Sequence, residues 1–351
     1  MKDRIFAGAL AASSVLLIPI AVWGVLNQQV QAASISGLDA VQIQEATAER
    51  SETVAELPRD SNRCVSAIVV HRCGEEPEIE TSEQARYDSQ MTVTVNIGGE
   101  EQRLTLEDYL CGVLMGEMPA EFPMEALKAQ AVAARTYTLR RVEGGGVLSD
   151  DSSVCQAFFP LDRAEERYGD QAEAYIEKVR SAVRETDGQV MTYGGDLIAA
   201  TYFSCSGGRT ESAQAVWGSA VPYLVSVDSP GEENARSYES TVTVPMEDFM
   251  SILEISAPIV KNVTYTDGGG VDTVTIGGKS FTGVELRSLF GLRSTSFTLE
   301  IGENTVTFQV RGYGHRVGLS QYGAKAMAEA GSDYREILTW YYSGAELTDA
   351  L

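Results

Sequence analysis

The sequence predicts an α+β protein: a single domain of helices and mixed or antiparallel strands over residues 91–351, behind an N-terminal transmembrane helix. Three observations carry this expectation. Strand-like and helix-like runs are segregated along the chain, without the regular alternation of a doubly wound fold. A hydrophobic fraction of 44% over 351 residues is enough for a substantial core. Lys2 and Arg4 precede an uncharged apolar run, Ile5 to Leu26, whose 22 residues at about 1.5 Å each match a hydrocarbon core of roughly 30 Å.

The positive residues lie before that run, which predicts a cytoplasmic tip and an exported remainder, on the outer face of the cell membrane. A cleaved signal peptide is the competing expectation, since Val30-Gln31-Ala32 approximates a small-residue cleavage site. The predicted organisation is an anchor over 1–35, an acidic extracytoplasmic spacer over 36–90 and a folded domain over 91–351. The spacer is poor in aromatics and carries Glu75, Glu76, Glu78, Glu80 and Glu83 around Pro77, as a solvated segment does.

Elements are expected in the following order. Met91 to Ile97 alternates as a strand, Gly98-Gly99 turns, and Gln102 to Leu104 pairs back. Thr105 caps a helix with Asp108 three residues on, and Leu106, Tyr109, Leu110, Val113 and Leu114 share one face. The helix must stop near Gly116, because Met118 precedes Pro119 and is pushed out of the helical region. A second helix begins at Pro123 and runs to about Arg141, dense in alanine at its centre. A helix over 172–185 and a hairpin of 189–193 with 196–203 follow. Strands are expected at 240–244, 272–276, 296–301 and 306–311, with helices at 246–253 and 283–289. Two helices, 320–330 and 334–342, close the chain with Gly331 between them.

The formal net charge of −23 repels nucleic-acid phosphates and excludes a nucleic-acid partner. Five cysteines cannot all pair within one chain. Cys64 and Cys73 flank a short apolar stretch beside His71, which fits a disulfide or free thiols better than a closed zinc site.

Three segments place polar residues where a core does not require them. In Gly116-Glu117-Met118-Pro119, a carboxylate ends a helix and faces the negative end of its dipole, with Met115, Met118 and Phe122 nearby. Both effects favour the protonated acid, the form that glycosidic cleavage uses. A surface glutamate at a helix end is the plain alternative. Lys128 and Arg135, seven apart, share a helical face, as a substrate-holding basic stripe or as solvated charge. Two glycine-bearing loops follow strands: 204–211, just after Tyr202, with Ser206 and Gly207, and 311–322, with His315 and Gln321. Glycines there let backbone approach a ligand closely, and a packed turn is the alternative. Cys205 with His315 as a nucleophile–base pair is a further possibility, without a local nucleophile signature.

These same residues carry a family resemblance. Leu106 to Pro119, Glu125 to Tyr137, Cys155-Gln156-Ala157, Ser206 to Ala213 with Trp217-Gly218, Tyr223 to Ser229, Gly312 to Ala324 and Tyr334 to Leu338 occur in the order found in stage II sporulation protein D, over residues 91 to 346. The resemblance implies a peptidoglycan lytic transglycosylase of endospore-forming bacteria that acts in engulfment. Its implied partners are glycan strands, a cell-wall amidase (stage II sporulation protein P) and a membrane protein (stage II sporulation protein M). The family also includes amidase enhancers, so a non-catalytic activator of an amidase is the second reading. By the resemblance Glu117 is the catalytic acid/base, and Lys128 and Arg135 are functional. Tyr202, Ser206, Gly207, His315 and Gln321 join them as expected substrate contacts. Relatives with a zinc site carry His and Cys just before the Cys-Gln pair; Gly144 to Val154 holds neither, so neither a metal nor another cofactor is expected.

Overall fold

The structure, a computed structural model, describes residues 86–236 and 238–350. The expected membrane helix, almost all of the spacer, and Cys64, His71 and Cys73 lie outside the described residues. Within them the fold is α+β, with helices and several small sheets. No helix among the described residues is long and apolar enough to cross a membrane.

The chain enters the domain slightly earlier than expected. Tyr87–Gln90 is a helical turn, and its Asp88 is buried. Strands Thr92–Ile97 and Glu100–Thr105 form the expected hairpin. Thr105 caps the helix Leu106–Glu117, accepting from the Asp108 amide at 3.1 Å. Met118 is extended (φ −125°, ψ 137°), as a residue before proline should be, and the helix stops there. Pro123 is the cap of the next helix, Met124–Glu143. Ala126, Ala129, Ala131, Ala133 and Ala134 are fully buried in it. Their small side chains let this helix run through the middle of the domain, against Leu106–Glu117, Ala172–Glu185, Gln321–Glu329, Tyr334–Tyr341 and strand Gln189–Tyr193.

One expected hairpin is shorter than its sequence suggested. Gly194-Gly195 turns, but only Asp196–Leu197 pairs back on Thr192-Tyr193. The chain then makes local turns at Ala200 and Thr201. Tyr202–Phe203 joins a different sheet, parallel to Leu319–Ser320. The other partner of Gln189–Tyr193 is Glu346–Asp349.

The expected single domain contains two hydrophobic cores. The larger gathers the helices just named. The second lies between residues 242 and 310, around Phe249, Leu286, Phe297 and Phe308. It is built on an antiparallel sheet in which Thr305–Arg311 lies between Glu239–Pro245 and Ser296–Ile301. A buried ion pair fastens this second lobe to the first. Arg316 donates to Glu211 Oε1 (3.1 Å) and to the Gly268 carbonyl (2.7 Å), and Glu211 Oε1 accepts from the Gly270 amide (3.0 Å).

Candidate active site

Glu117 is the last residue of its helix. One carboxylate oxygen accepts from the Ala157 amide at 2.6 Å. The Tyr202 hydroxyl and the Gln321 side-chain amide face the same carboxylate. Burial holds the Glu117 carboxyl above the usual carboxylate range, and the Ala157 amide, with the polar groups of Gln321 and Tyr202 beside it, only partly opposes it. No Asp or Glu figures among the groups that shift it.

The segment that supplies the Ala157 amide lies on bare helix backbone. Gly112 and Gly116 are four apart and face residues 157–158. A Cβ on Gly116 would stand 2.8 Å from the Ala157 carbonyl oxygen. The Phe159 amide donates to the Gly112 carbonyl at 2.9 Å.

A chain of polar side chains sets the rest. Thr138 gives its hydroxyl proton to the Ala134 carbonyl (2.7 Å), so it can only accept from Gln156 Nε2 (2.9 Å). That fixes the Gln156 amide, whose oxygen then accepts from the Tyr202 hydroxyl at 2.8 Å. Tyr202 is therefore held at the carboxylate with its proton committed to Gln156. Gln321 differs: it is buried, yet its Nε2 has no partner at hydrogen-bond distance. A buried amide donor left open beside Glu117 is suited to a ligand oxygen.

Gln321 is placed by a carboxylate that the sequence did not single out. Glu232 is buried, and its Oε1 accepts from the hydroxyls of Ser229 and Ser320, both at 2.6 Å. Ser320 is the cap of the helix that Gln321 opens. The other oxygen, Oε2, accepts from Ser206 N (2.7 Å), Ser206 Oγ (2.9 Å) and Gly207 N (3.1 Å), and from the Cys205 thiol.

These contacts also show where the other expected residues lie. Ser206 is fully buried and, like the Gly207 amide, is engaged by Glu232, so neither offers a free donor to substrate. Gly207 (φ +77°) instead lets the 205–208 turn approach the backbone of Arg311 and Gly312. The Cys205–His315 pair does not form. Burial and then the Glu232 charge push the Cys205 thiol well above its usual range, which keeps it protonated. His315 lies between the rings of Phe203 (5.6 Å) and Trp217 (5.4 Å), and its Nδ1 accepts from the Val317 amide. Burial, aided by the Arg287 charge, pushes His315 down to about 4, so the ring is neutral.

The basic stripe also has another destination. Lys128 and Arg135 do share a face, but it meets the C-terminal end of Ala172–Glu185. Lys128 bridges Glu125 (2.8 Å) and Glu185 (2.7 Å). Arg135 is fully buried and binds Asp88 at 2.5–3.0 Å. Its remaining donors go to the carbonyls of Val183 and Gln189, both 3.1 Å. Both cations lie at the negative end of that helix, an arrangement that complements its dipole. The geometry thus brings Glu117, Tyr202 and Gln321 together, packs His315 on Phe203 and Trp217 instead, and leaves Lys128 and Arg135 outside the group.

Ala157 and Gln156 were legible only as part of the Cys155-Gln156-Ala157 match, without a role. Asp88 lies at the end of the stretch that read as an acidic spacer, and no local signal distinguishes it or Glu232. Among the described residues no group of three His, Cys, Asp or Glu side chains could hold a metal ion.

Comparison with known proteins agrees with the motifs. A family model described as Stage II sporulation protein (SpoIID) matches residues 99–193. The chain is 37% identical over 260 residues to stage II sporulation protein D of Bacillus subtilis, covering 71% of this chain and 76% of that protein. Identity and coverage are the same for stage II sporulation protein D of Bacillus amyloliquefaciens. A Bacillus subtilis protein named amidase enhancer is 31% identical over 298 residues, 68% of this chain and 40% of the relative. The chain belongs to the stage II sporulation protein D family.

Proposed function

We propose that this protein is a lytic transglycosylase that cleaves the N-acetylmuramic acid–N-acetylglucosamine bond of peptidoglycan glycan strands, with Glu117 as its single acid/base. The observation that carries the reading is a buried carboxyl, held toward its protonated form, with no second carboxylate acting on it. Hydrolytic glycosidases use two carboxylates, one to protonate the leaving oxygen and one to activate water or attack the sugar. An intramolecular nucleophile removes the need for the second.

In the proposed reaction the Glu117 proton moves to the bridging oxygen as the C1–O bond breaks. The resulting carboxylate takes the proton of the muramoyl 6-hydroxyl, whose oxygen closes onto C1. A 1,6-anhydro ring forms, Glu117 is protonated again, and no water is consumed. The tethered hydroxyl attacks effectively because it is already close and oriented. The Ala157 amide holds the carboxylate during the cycle, and the open Gln321 amide binds a substrate oxygen. Lys128 and Arg135 serve this chemistry by fixing the helix that follows the Glu117 turn. The proposed setting is the outer face of the membrane, reached through the apolar segment Ile5–Leu26, beside the amidase and membrane protein that the resemblance implies.

Mass spectrometry of purified glycan digested by the protein alone tests the reaction. Products that lack one water and end in 1,6-anhydromuramic acid are expected. Reducing muramoyl ends would contradict the intramolecular step. Cleavage seen only when an amidase is added would favour the second reading, an amidase activator, which the similarity to the amidase enhancer supports.

A further inference from the structure

Thr138 and Gln156, which carry the polar chain behind Glu117, have no part in the chemistry above. Both are buried. Thr138 can only accept from Gln156 Nε2, because its own proton goes to the Ala134 carbonyl. The second proton on Nε2 points to the Tyr109 hydroxyl oxygen, at 3.4 Å. Two acceptors on the amide nitrogen leave Gln156 Oε1 turned to Tyr202, whose hydroxyl donates to it at 2.8 Å. The chain therefore has one direction. It ends with oxygen lone pairs of Tyr202, not a proton, available to the Glu117 carboxyl that this hydroxyl faces.

That direction matters to an acid. A protonated carboxyl can donate to the Tyr202 oxygen, whereas a carboxylate meets only lone pairs there. To gain the Tyr202 proton, ionised Glu117 would have to take it from Gln156 and leave a buried carbonyl oxygen without its donor. Gln156 and Glu117 thus compete for one proton. The titratable side chains acting on Tyr202 are Glu117, Tyr109, Tyr137 and Cys155. Burial pushes Tyr109 and Tyr137 up, which keeps both phenols neutral. Arg141 lies beside Tyr137, and the neutral His315 ring meets Tyr202 at its backbone. No cation figures among the groups that shift Glu117.

We propose that Gln156, oriented by Thr138, is a positioning residue that withholds the Tyr202 proton from Glu117 and so keeps Glu117 an acid. The inference rests on the acid role of Glu117 proposed above and names the residues that sustain it. Gln156 is the reason that Tyr202 faces the carboxyl yet only partly opposes its protonated form. Adjacent residues then have opposite duties. The Ala157 amide holds one carboxyl oxygen in place at 2.6 Å, while the Gln156 side chain denies the carboxyl the phenol's proton.

Carbon-13 titration of the Glu117 carboxyl tests this without substrate, in protein labelled at its glutamate carboxyl carbons, with the signal assigned by its loss in Glu117→Gln. Thr138→Val removes the acceptor that orients Gln156, and Gln156→Met removes the competing carbonyl with little change of size. Each should lower the Glu117 midpoint by about one pH unit, as Tyr202 turns its proton to the carboxylate. Thr138→Ser keeps the hydroxyl and should keep the parent midpoint. Neither lowering should survive in the Tyr202→Phe background, a dependence that a merely structural role would not produce. Tyr202→Phe alone should raise the midpoint by less than about half a unit, because Glu117 receives little of that proton in the parent protein. An unchanged or raised midpoint in Thr138→Val, or a lowering that persists without the Tyr202 hydroxyl, overturns the proposal. A larger rise in Tyr202→Phe also overturns it, since Tyr202 would then already donate to Glu117, and that variant decides the matter if neither of the others folds. Glycan digestion gives a separate answer: a protein that titrates as expected but cuts no glycan keeps the Gln156 role and loses the glycan-cleavage reading.

Discussion

Glu117 and Arg135 have opposite relations to their surroundings. Glu117 is a buried acid with few donors and no cation, so burial favours the neutral form. The sign of the consequence follows. A carboxyl whose folded-state pKa is raised adds stability below the usual glutamate range, and that contribution is lost as pH rises through the folded value. Cleavage should follow the same limb, falling with rising pH at a pH above the ordinary carboxylate range, and a pH profile of kcat/KM checks it. Arg135 is a buried cation with a complete set of partners. Arg135→Ala would strand Asp88 and cost about 3–5 kcal/mol, seen as a lower denaturation midpoint. Lost cleavage in that variant would then follow lost folding. An unchanged midpoint would contradict the structural role and return Arg135 to the substrate.

At the scale of elements, the Glu117 turn needs both its helix stop and the segment it faces. The stop was legible, because Pro119 dictates it. The facing segment was not, because it approaches through backbone and leaves only Gly112 and Gly116 as a trace. Gly116→Ala is the sharp test of that approach. The added methyl would meet the Ala157 carbonyl and displace the amide that holds Glu117. Cleavage should fall at least about tenfold with the helix intact by circular dichroism; wild-type cleavage would refute the contact. Helices were read well because capping and 3.6-residue periodicity are local. The alanine-rich helix announced close packing through its small residues. The 196–203 hairpin was overextended because an apolar run does not reveal which sheet its end will join.

On the scale of the whole molecule, long-range polar contacts assemble what local patterns cannot show. Glu232 ties the Cys205–Gly207 turn to the cap of the Gln321 helix, whose Ser320 lies 88 residues beyond Glu232 in sequence. Arg316 and Glu211 fasten the second lobe beside the site. Neither arrangement has a sequence signature, which is why Ser206 and Gly207 read as substrate contacts while Glu232 was not singled out. Glu232→Ala removes an acceptor shared by Ser206, Gly207, Ser229 and Ser320, leaving buried donors unsatisfied at roughly 1–3 kcal/mol each before relaxation. Both thermal stability and cleavage should fall. A variant as stable and active as the parent would show that Glu232 organises nothing.

The central claim is that one carboxyl performs the chemistry. Glu117→Gln keeps the shape of the side chain and its acceptor for the Ala157 amide, but it cannot cycle a proton. The direct measurement is cleavage of purified glycan strands by this variant beside the parent protein, with thermal unfolding of both. The account predicts a fold at least as stable as the parent at neutral pH and cleavage reduced by at least about a hundredfold. A folded Glu117→Gln protein that cleaves glycan near the parent rate would contradict it.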